Sequence, residues 1–381
     1  MFRFRADRRH SERGDRLKRM IDSFIGRPLI FLIGITRSRR TLPKKIDVIG
    51  LLVFGAIGDT ILASAVVQDI RVAFPHSKIV GFVSLANAGA AELVEGFEEI
   101  VVVPITRPLT ALRLIRRYRM DVVIDFGPWP RISALIAALA RAQYAIGFKT
   151  EGQFRHAAFD DAAQHTSTKH EIDNYRALVS RLGVSSRSMP RLRSDLSVEC
   201  SLPIALPYIV FHPWASGYRS ELREWSTDNW VALARAVLLS GYRVTITGGP
   251  ADATRAQELA GLVGQPSDIC VTAGRAKLRE TTIVLANAAA VVSVNTGVMH
   301  LAALLNKPML ALHGPTDPRR WGPLSDAAVV IGPGTDEGCA FLNLGFEYPR
   351  NPPDCMSKIT VAEVVYHLRQ VLKIDQKNDM S

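Results

Sequence analysis

Two short stretches carry residue types that chemistry can use. In "SVNTGVMHLAALLNKPMLALHGPTDPRRWGP" (293–323), Asn295, Thr296 and Gly297 stand between an apolar strand and an apolar helix, with His300 one turn further in. A packing segment needs none of them. A helix that begins at about Thr296 or Gly297 presents unsatisfied backbone N–H groups and the positive end of its dipole, which together receive phosphate. His300 adds a donor. Arg223, in "ELREW", precedes a helix of the same half and adds a cation that can grip an oxyanion. Gly248 and Gly249, in "TGGPAD", let the backbone approach a ligand closely. Each residue also has a plainer use: Asn295 or Thr296 as an N-cap, His300 as a packed imidazole, Arg223 as a surface charge, the glycines as turns. Their joint occurrence at the ends of consecutive strands is what points to an anion site.

The second stretch is "FGAIGDTILAS" (54–64). Gly55 and Gly58 do not complete a G-x-G-x-x-G fingerprint, and Asp59 stands where a pyrophosphate would approach. A carboxylate at a helix start is stabilised as an anion by the dipole. Facing a phosphate-bearing partner half, Asp59 makes a general base; its plainer use is a helix cap. No D-x-D occurs, so no metal bridge to a diphosphate is suggested. His165 and His170 lie five apart in a polar stretch and do not share a helix face.

The elements that must position these residues come in two series. "KIDVIGLLVFG" is a continuous apolar run that reads as a buried strand, and "AIGDTILASAVVQDIRVAF" follows as a helix. "SKIVGFVS", "NAGAAELVEGF", "EEIVVVP", "LTALRLIRRYRM" and "DVVIDFG" continue the alternation. It restarts at "PYIVFHPWA", "STDNWVALARAVLLSG", "YRVTITGGP" and "DATRAQELAGLVG", with "AAAVVSVN" and "PMLALHG" as further strands. The spacing predicts parallel sheets wound in βαβ units, two Rossmann-like halves facing a cleft, with sites beyond the carboxyl ends of the strands. The expected organisation is a basic extension over 1–45, an N-terminal Rossmann-like half over 46–190, a C-terminal Rossmann-like half over 200–355, and a C-terminal helix and tail over 356–381. The Ser-, Pro- and Arg-rich stretch 183–207 is the linker, and "KITVAEVVYHLRQVLKI" is expected to pack back across the pair.

With 381 residues, 48% hydrophobic and 22% charged, the chain is long enough for two cores and is not disordered. The net charge of +11 is local: residues 1–45 hold 14 Lys or Arg against 4 Asp or Glu, or +10, leaving +1 for the body. Within that extension the apolar part, 24–35, is broken by Arg27 and Pro28 and is too short to span a bilayer. "TRSRR" follows where a signal peptidase would need small residues. Arginines flanking a short apolar segment suit peripheral contact with anionic lipid, the alternative being a solvated tail with a short helix packed on the body. Aromatic residues interleave little with the charges, so nucleic acid is not the expected partner. Cys200, Cys270, Cys339 and Cys355 form no C-x-x-C pair, and reduced thiols are expected. Trp225, Trp230 and Trp321 are expected to be packing anchors rather than sugar platforms.

"GAIGDTILASAVVQDIRVAFP", the 293–323 stretch and a late "C…CM-x-x-I-T-x-x-x-V" pattern resemble the heptosyltransferases of glycosyltransferase family nine, over about residues 46–375. The resemblance implies a GT-B fold and metal-free, inverting transfer of a sugar from a nucleotide diphosphate, typically ADP-heptose. It implies a lipid A–inner core acceptor at the cytoplasmic face of the inner membrane and no cofactor beyond the co-substrate. By position, Asp59 matches the family's proposed base, and Thr296, Gly297 and His300 its donor motif. Two residues depart: Asn295 stands where the family usually has Asp, a loss of charge that would change the donor or lower activity, and Arg223 where it commonly has Lys, which keeps the charge. Arg113, Arg116 and Arg117, crowded on one segment with Arg119, would attract an acidic or phosphorylated acceptor, or simply form a solvated basic face. A sugar-nucleotide epimerase or hydrolase, or a nucleotide-binding relative without turnover, would keep most of these residues.

Overall fold

In the computed structural model, which describes residues 20–194, 204–333, 338–342, 344 and 347–373, both apolar series become parallel sheets. The first half contributes β1 (Val48–Val53), β2 (Lys78–Val83), β3 (Glu99–Val102), β4 (Val122–Asp125), β5 (Tyr144–Lys149) and β6 (Asp161–Gln164). Their spatial order is β3-β2-β1-β4-β5-β6. The second half contributes β7 (Tyr208–His212), β8 (Arg243–Ile246), β9 (Ile269–Val271), β10 (Ala290–Val294), β11 (Met309–Leu312) and β12 (Ala328–Ile331). Here the order is β12-β11-β10-β7-β8-β9, the same winding repeated. The continuous apolar runs follow from burial on both faces: Val291 and Val292 of β10 and Leu51 and Leu52 of β1 are fully enclosed.

Helices supply the crossovers. A helix α1 (Arg27–Thr36), entered through a π-turn at Asp22–Gly26, precedes the first sheet. Then come α2 (Ile57–Ala73), α3 (Ala88–Leu93), α4 (Pro108–Ile115), α5 (Arg131–Leu139) and α6 (Glu171–Val179). The second half adds α7 (Thr227–Leu239), α8 (Ala253–Val263), α9 (Leu278–Asn287), α10 (Gly297–Leu304), α11 (Pro318–Trp321) and α12 (Val361–Leu372). Ser226 caps α7 by accepting from the Asn229 N–H. Because both sheets begin their winding at the reversal beside β1 or β7, the loops after β1 and β10 both reach the carboxyl edge.

One apolar core runs across the junction. Ile61, Val66 and Ala88 of the first half share it with Leu285, Val298, Met299 and Ala302 of the second. The halves therefore meet on packed helices, α2 on α10 and α3 on α9, and the cleft lies above that floor. The last helix differs from expectation. α12 buries Val364 and Leu368 in the core of the second half and packs on α7, β11, β10 and β12. Its apolar stripe matches that sheet, so it does not cross back; residues 374–381 lie outside the described part.

The cysteine expectation is overturned. Cys339 and Cys355 form a disulfide, Cα to Cα 5.8 Å. Leu342 N–H donates to Pro315 O at 2.7 Å and Ala340 N–H to Gly314 O at 3.1 Å, which lays their segment against the loop after β11. The same loop packs on Cys355 and Met356. That tertiary docking, invisible in the spacing, joins them. Cys270 is half-buried, and Cys200 falls outside the described residues.

Candidate active site

Two helix starts meet at the junction. A Cβ added to Gly58 would lie 2.7 Å from His300 Cδ2, and one added to Gly297 would lie 2.5 Å from Ile57 Cβ and 3.0 Å from the Gly58 N. No larger residue fits at either place without moving a helix. The first turns of α2 and α10 thus abut, each bringing unsatisfied N–H groups and a positive dipole end. Helix starts placed tip to tip repel one another unless negative charge sits between them. Asp59 supplies one such charge, and a diphosphate would supply another.

Asp59 is the third residue of α2. Its Oδ2 accepts from the Ala56 N–H at 2.5 Å, so the plainer reading as a cap holds for one oxygen. Gly55 makes this possible, since a Cβ there would fall 2.6 Å from Asp59 Cβ. The other oxygen, Oδ1, lies 3.4 Å from the Tyr175 hydroxyl. Burial, and then the Asp59 charge, hold the Tyr175 phenol well above its ordinary pKa, so it stays protonated and donates. Asp59 is thereby oriented from two sides while remaining half-buried, the posture that a base facing a substrate hydroxyl requires.

Thr296 occupies the N-cap position of α10, yet its side chain makes no capping bond. Its Oγ1 is buried and has no hydrogen-bond partner among the described residues. A buried hydroxyl left in that state costs about 1–3 kcal/mol, which a ligand oxygen would remove. Asn295 is differently employed. Its Nδ2 lies 3.2 Å from His313 Nδ1 and donates to Trp321 O at 3.2 Å, and Thr316 Oγ1 lies 3.1 Å from the same imidazole. An aspartate could not donate to that carbonyl, so the amide here ties the loop after β11 to the end of β10. His300 is buried, and burial, with His170 and His313 nearby, pushes its pKa down to about 3. It is a neutral imidazole and offers an anion at most one N–H, not a charge.

Arg223 ends a 3₁₀ turn after β7 and donates from Nη2 to Ser216 O at 2.5 Å, at the carboxyl edge where an anion would arrive. Gly248 and Gly249 follow β8 on the same edge. The Gly249 N–H, however, donates to Asp252 Oδ2 at 2.8 Å. That turn presents a carboxylate, which suits hydroxyl groups and repels phosphate. Arg113, Arg116 and Arg117 are not brought to the site. Arg116 Nε donates to Leu139 O at 2.7 Å, at the last residue of α5. Crossover helices run antiparallel to their strands, so the ends of α4 and α5 lie at the amino edge of the sheet, opposite Asp59. Trp225 and Trp230 are buried packing anchors, as expected; Trp225 Nε1 donates to Ile359 O at 2.9 Å. Among the described residues, no group of three His, Cys, Asp or Glu is placed to hold a metal ion.

The chain matches the family model described as Glycosyltransferase family 9 (heptosyltransferase) over residues 110–341, more than half its length. The protein belongs to glycosyltransferase family 9. It is similar to Lipooligosaccharide heptosyltransferase 2 of Haemophilus influenzae, 27% identical over 305 residues, covering 72% of this chain and 85% of that one. It is also similar to Lipopolysaccharide heptosyltransferase 1 of Salmonella typhimurium, 29% identical over 225 residues, covering 56% and 68%. Among solved structures, E. coli ADP-heptose lps heptosyltransferase II superposes with a TM-score of 0.69 at 21% identity, over 86% of this chain and 98% of the other. E. coli heptosyltransferase WaaC with ADP gives 0.66 at 21%, over 85% and 99%. The fold is GT-B and the chain is a glycosyltransferase.

The junction of this transferase holds a cluster that the sequence did not reveal. Arg320, from α11 in the second half, is completely buried against Glu171, at the start of α6 in the first. His165 Nε2 sits between them, 2.9 Å from Arg320 Nη2 and 3.3 Å from Glu171 Oε2. Asn174 Nδ2 donates to the same carboxylate oxygen at 3.1 Å. Beside it, His170 Nε2 lies 3.0 Å from Gly322 O. Burial pushes the Glu171 carboxyl up, but the Arg320 guanidinium and then His165 more than offset it and leave the pKa below its ordinary value. The two histidines are interlobe contacts rather than metal ligands. Only a glutamate at a helix start and an arginine before a tryptophan could have signalled the pair.

Proposed function

We propose that the chain transfers a heptose from ADP-heptose to a lipopolysaccharide-core hydroxyl, with inversion and without a metal ion. The observation that carries this reading is the tip-to-tip meeting of α2 and α10 with Asp59 beside it. One lobe then holds the leaving group and the other the base. The diphosphate sits on the N–H groups of α10, with the Thr296 hydroxyl and Arg223 as further donors. Asp59 takes the proton of the acceptor hydroxyl as its oxygen bonds to the anomeric carbon and the bond from that carbon to the diphosphate oxygen breaks. Charge that builds on the leaving oxygen meets fixed dipoles already aimed at it, which need no reorganisation as the bond breaks. In-line geometry, base and leaving group on opposite walls, inverts the anomeric centre. The Asp252 carboxylate suits the ribose hydroxyls. With an acceptor carried on lipid, the reaction would run at the cytoplasmic face of a membrane.

The test uses a heptose-deficient lipopolysaccharide core, ADP-heptose and chelated buffer, with product stereochemistry read by NMR. The reading expects one heptose per acceptor with inverted configuration. Asp59→Asn keeps an oxygen for the Ala56 N–H and should lower kcat by about 10²–10⁴-fold while ADP binding stays within about threefold. Release of free sugar without acceptor would point instead to a hydrolase, and unchanged turnover in Asp59→Asn would remove the base.

A further inference from the structure

Helix α1, together with the π-turn Asp22–Gly26 that enters it, is apolar on the side that faces water. Phe24, Ile25, Leu29, Phe31, Leu32 and Ile35 are all exposed, Phe24 at 74%, Phe31 at 70% and Ile35 at 68%. The inward side is already satisfied. Asp22, Gly26, Ile30 and Gly34 recur every four residues and lie on the body, Ile30 at 1% exposure. Gly26 sits against Arg131, where an added Cβ would lie 3.1 Å from the arginine's Cβ, and Gly34 against Ala157, where one would lie 2.9 Å from the alanine's Cβ. Asp22 pairs with Arg131 at 2.6 Å at one end, and Arg37 with Asp160 at 2.6 Å at the other. The helix is therefore pinned in a pose that displays its apolar face, against the usual direction of amphipathicity.

Charge surrounds that face. Arg37 donates to Ala138 O at 3.0 Å, Arg40 to Ala142 O at 2.7 Å and Arg116 to Leu139 O at 2.7 Å, so three arginines converge on the end of α5 beside the end of α1. Arg39, Arg113 and Arg117 are exposed near them. A cavity of about 280 Å³ opens between Phe31, Ile35, Arg39 and His156. The preceding residues 1–19 hold eight Lys or Arg against three Asp or Glu, a composition that suits a phosphate surface.

We infer that α1 and the arginines at its end form a docking face for a bilayer rich in anionic phospholipid, the apolar side chains entering the headgroup region and the exposed guanidinium groups of Arg39, Arg113 and Arg117 binding lipid phosphates, while Arg37 and Arg40 stay paired with Asp160. Among the described residues no helix is long and apolar enough to cross a membrane, so the contact is with one leaflet. A second copy of the chain is the poorer occupant, because it would bring one strongly basic segment against another. The π-turn that enters α1 touches Arg131, the first residue of α5, through Asp22, on the carboxyl edge beside the loop that leads to Asp59. A membrane under α1 thus runs up to the mouth of the cleft, where a lipid-borne acceptor would enter. The arginines that the sequence assigned to the acceptor serve the surface that holds it.

The experiment is sedimentation of the full chain with vesicles of phosphatidylethanolamine and phosphatidylglycerol, against vesicles of phosphatidylcholine alone. The protein should sediment with the anionic vesicles and be released by salt. Phe31→Asp with Ile35→Asp should lower the partition coefficient about tenfold or more, and Arg113→Glu with Arg117→Glu by a similar factor. Both pairs are exposed, so melting temperature and turnover on a short soluble acceptor should be unchanged. Equal binding to both vesicle types, or none to either, would overturn the inference. So would a dimer in analytical ultracentrifugation that the apolar pair of substitutions turns into monomers. Neither readout needs the sugar donor, so failure here and failure of the heptosyl reading are separable.

Discussion

Glu171 and Arg320 cross the lobe junction with no exposure on either side chain, and cutting one of them should be costly in a particular order. Removing one partner of a buried pair leaves an uncompensated charge and costs about 3–5 kcal/mol. The two truncations are not equivalent. In Arg320→Leu the stranded carboxylate keeps Asn174 Nδ2 at 3.1 Å and can take up a proton. In Glu171→Leu the stranded guanidinium keeps His165 and the Trp321 ring at 4.3 Å but no anion among its described contacts, and it cannot shed its charge, so this variant belongs at the upper end. The double leucine variant strands neither charge and should cost several kcal/mol less than the two singles added together. Urea unfolding followed by tryptophan fluorescence measures all three. The pH dependence supplies a sign. In the parent, Glu171 has a depressed pKa, so the unfolded chain binds the extra proton; its contribution is present above about pH 4.5 and is lost as pH falls. Without Arg320, burial is left nearly unopposed and the carboxyl moves up, so the deficit of Arg320→Leu should shrink as pH drops from 7 to 5. Strict additivity of the two costs, or a loss under about 1 kcal/mol in either single variant, would refute the pair as a clamp between lobes.

Thr296→Val removes a buried hydroxyl that no described residue satisfies. It should leave the unliganded melting temperature unchanged or higher while weakening ADP binding about 10-fold or more by calorimetry, since hydrogen bonds to charged groups are worth about 1.5–3 kcal/mol. Gly297→Ala drives a methyl to 2.5 Å from Ile57 Cβ. It should cost about 1–3 kcal/mol in urea and lower kcat/KM by separating the two helix tips. His212, His300 and His313 are buried, and burial pushes their pKa values down to about 4, 3 and 4. The unfolded chain therefore binds protons that the fold refuses, and stability should fall as pH drops below about 6.5. At pH 5 the loss is on the order of 2 kcal/mol per imidazole, checked by melting curves from pH 7.5 to 4.5.

What the sequence alone determined is local. Strands buried on both faces show as unbroken apolar runs, so β1, β2, β7, β10 and β11 could be placed without any contact being known. Asp59 and Thr296 could be found because a glycine-bearing turn between strand and helix is written in adjacent residues. Short or polar edge strands, Asp161–Gln164 and Ile269–Val271, carry no such pattern and needed their neighbours to define them. Everything that depends on distant segments meeting was decided by tertiary structure. Arg320 and His165 are 155 residues apart, the Cys339–Cys355 bond waits on a loop docking against β11, and α12 chose one lobe by the shape of its sheet. The reach of side-chain chemistry is a few ångströms, whereas the chain between those residues can close in many ways. Arg113, Arg116 and Arg117 show the difference most plainly: the sequence displayed their charge, and the antiparallel course of a crossover helix decided which end of the molecule received it.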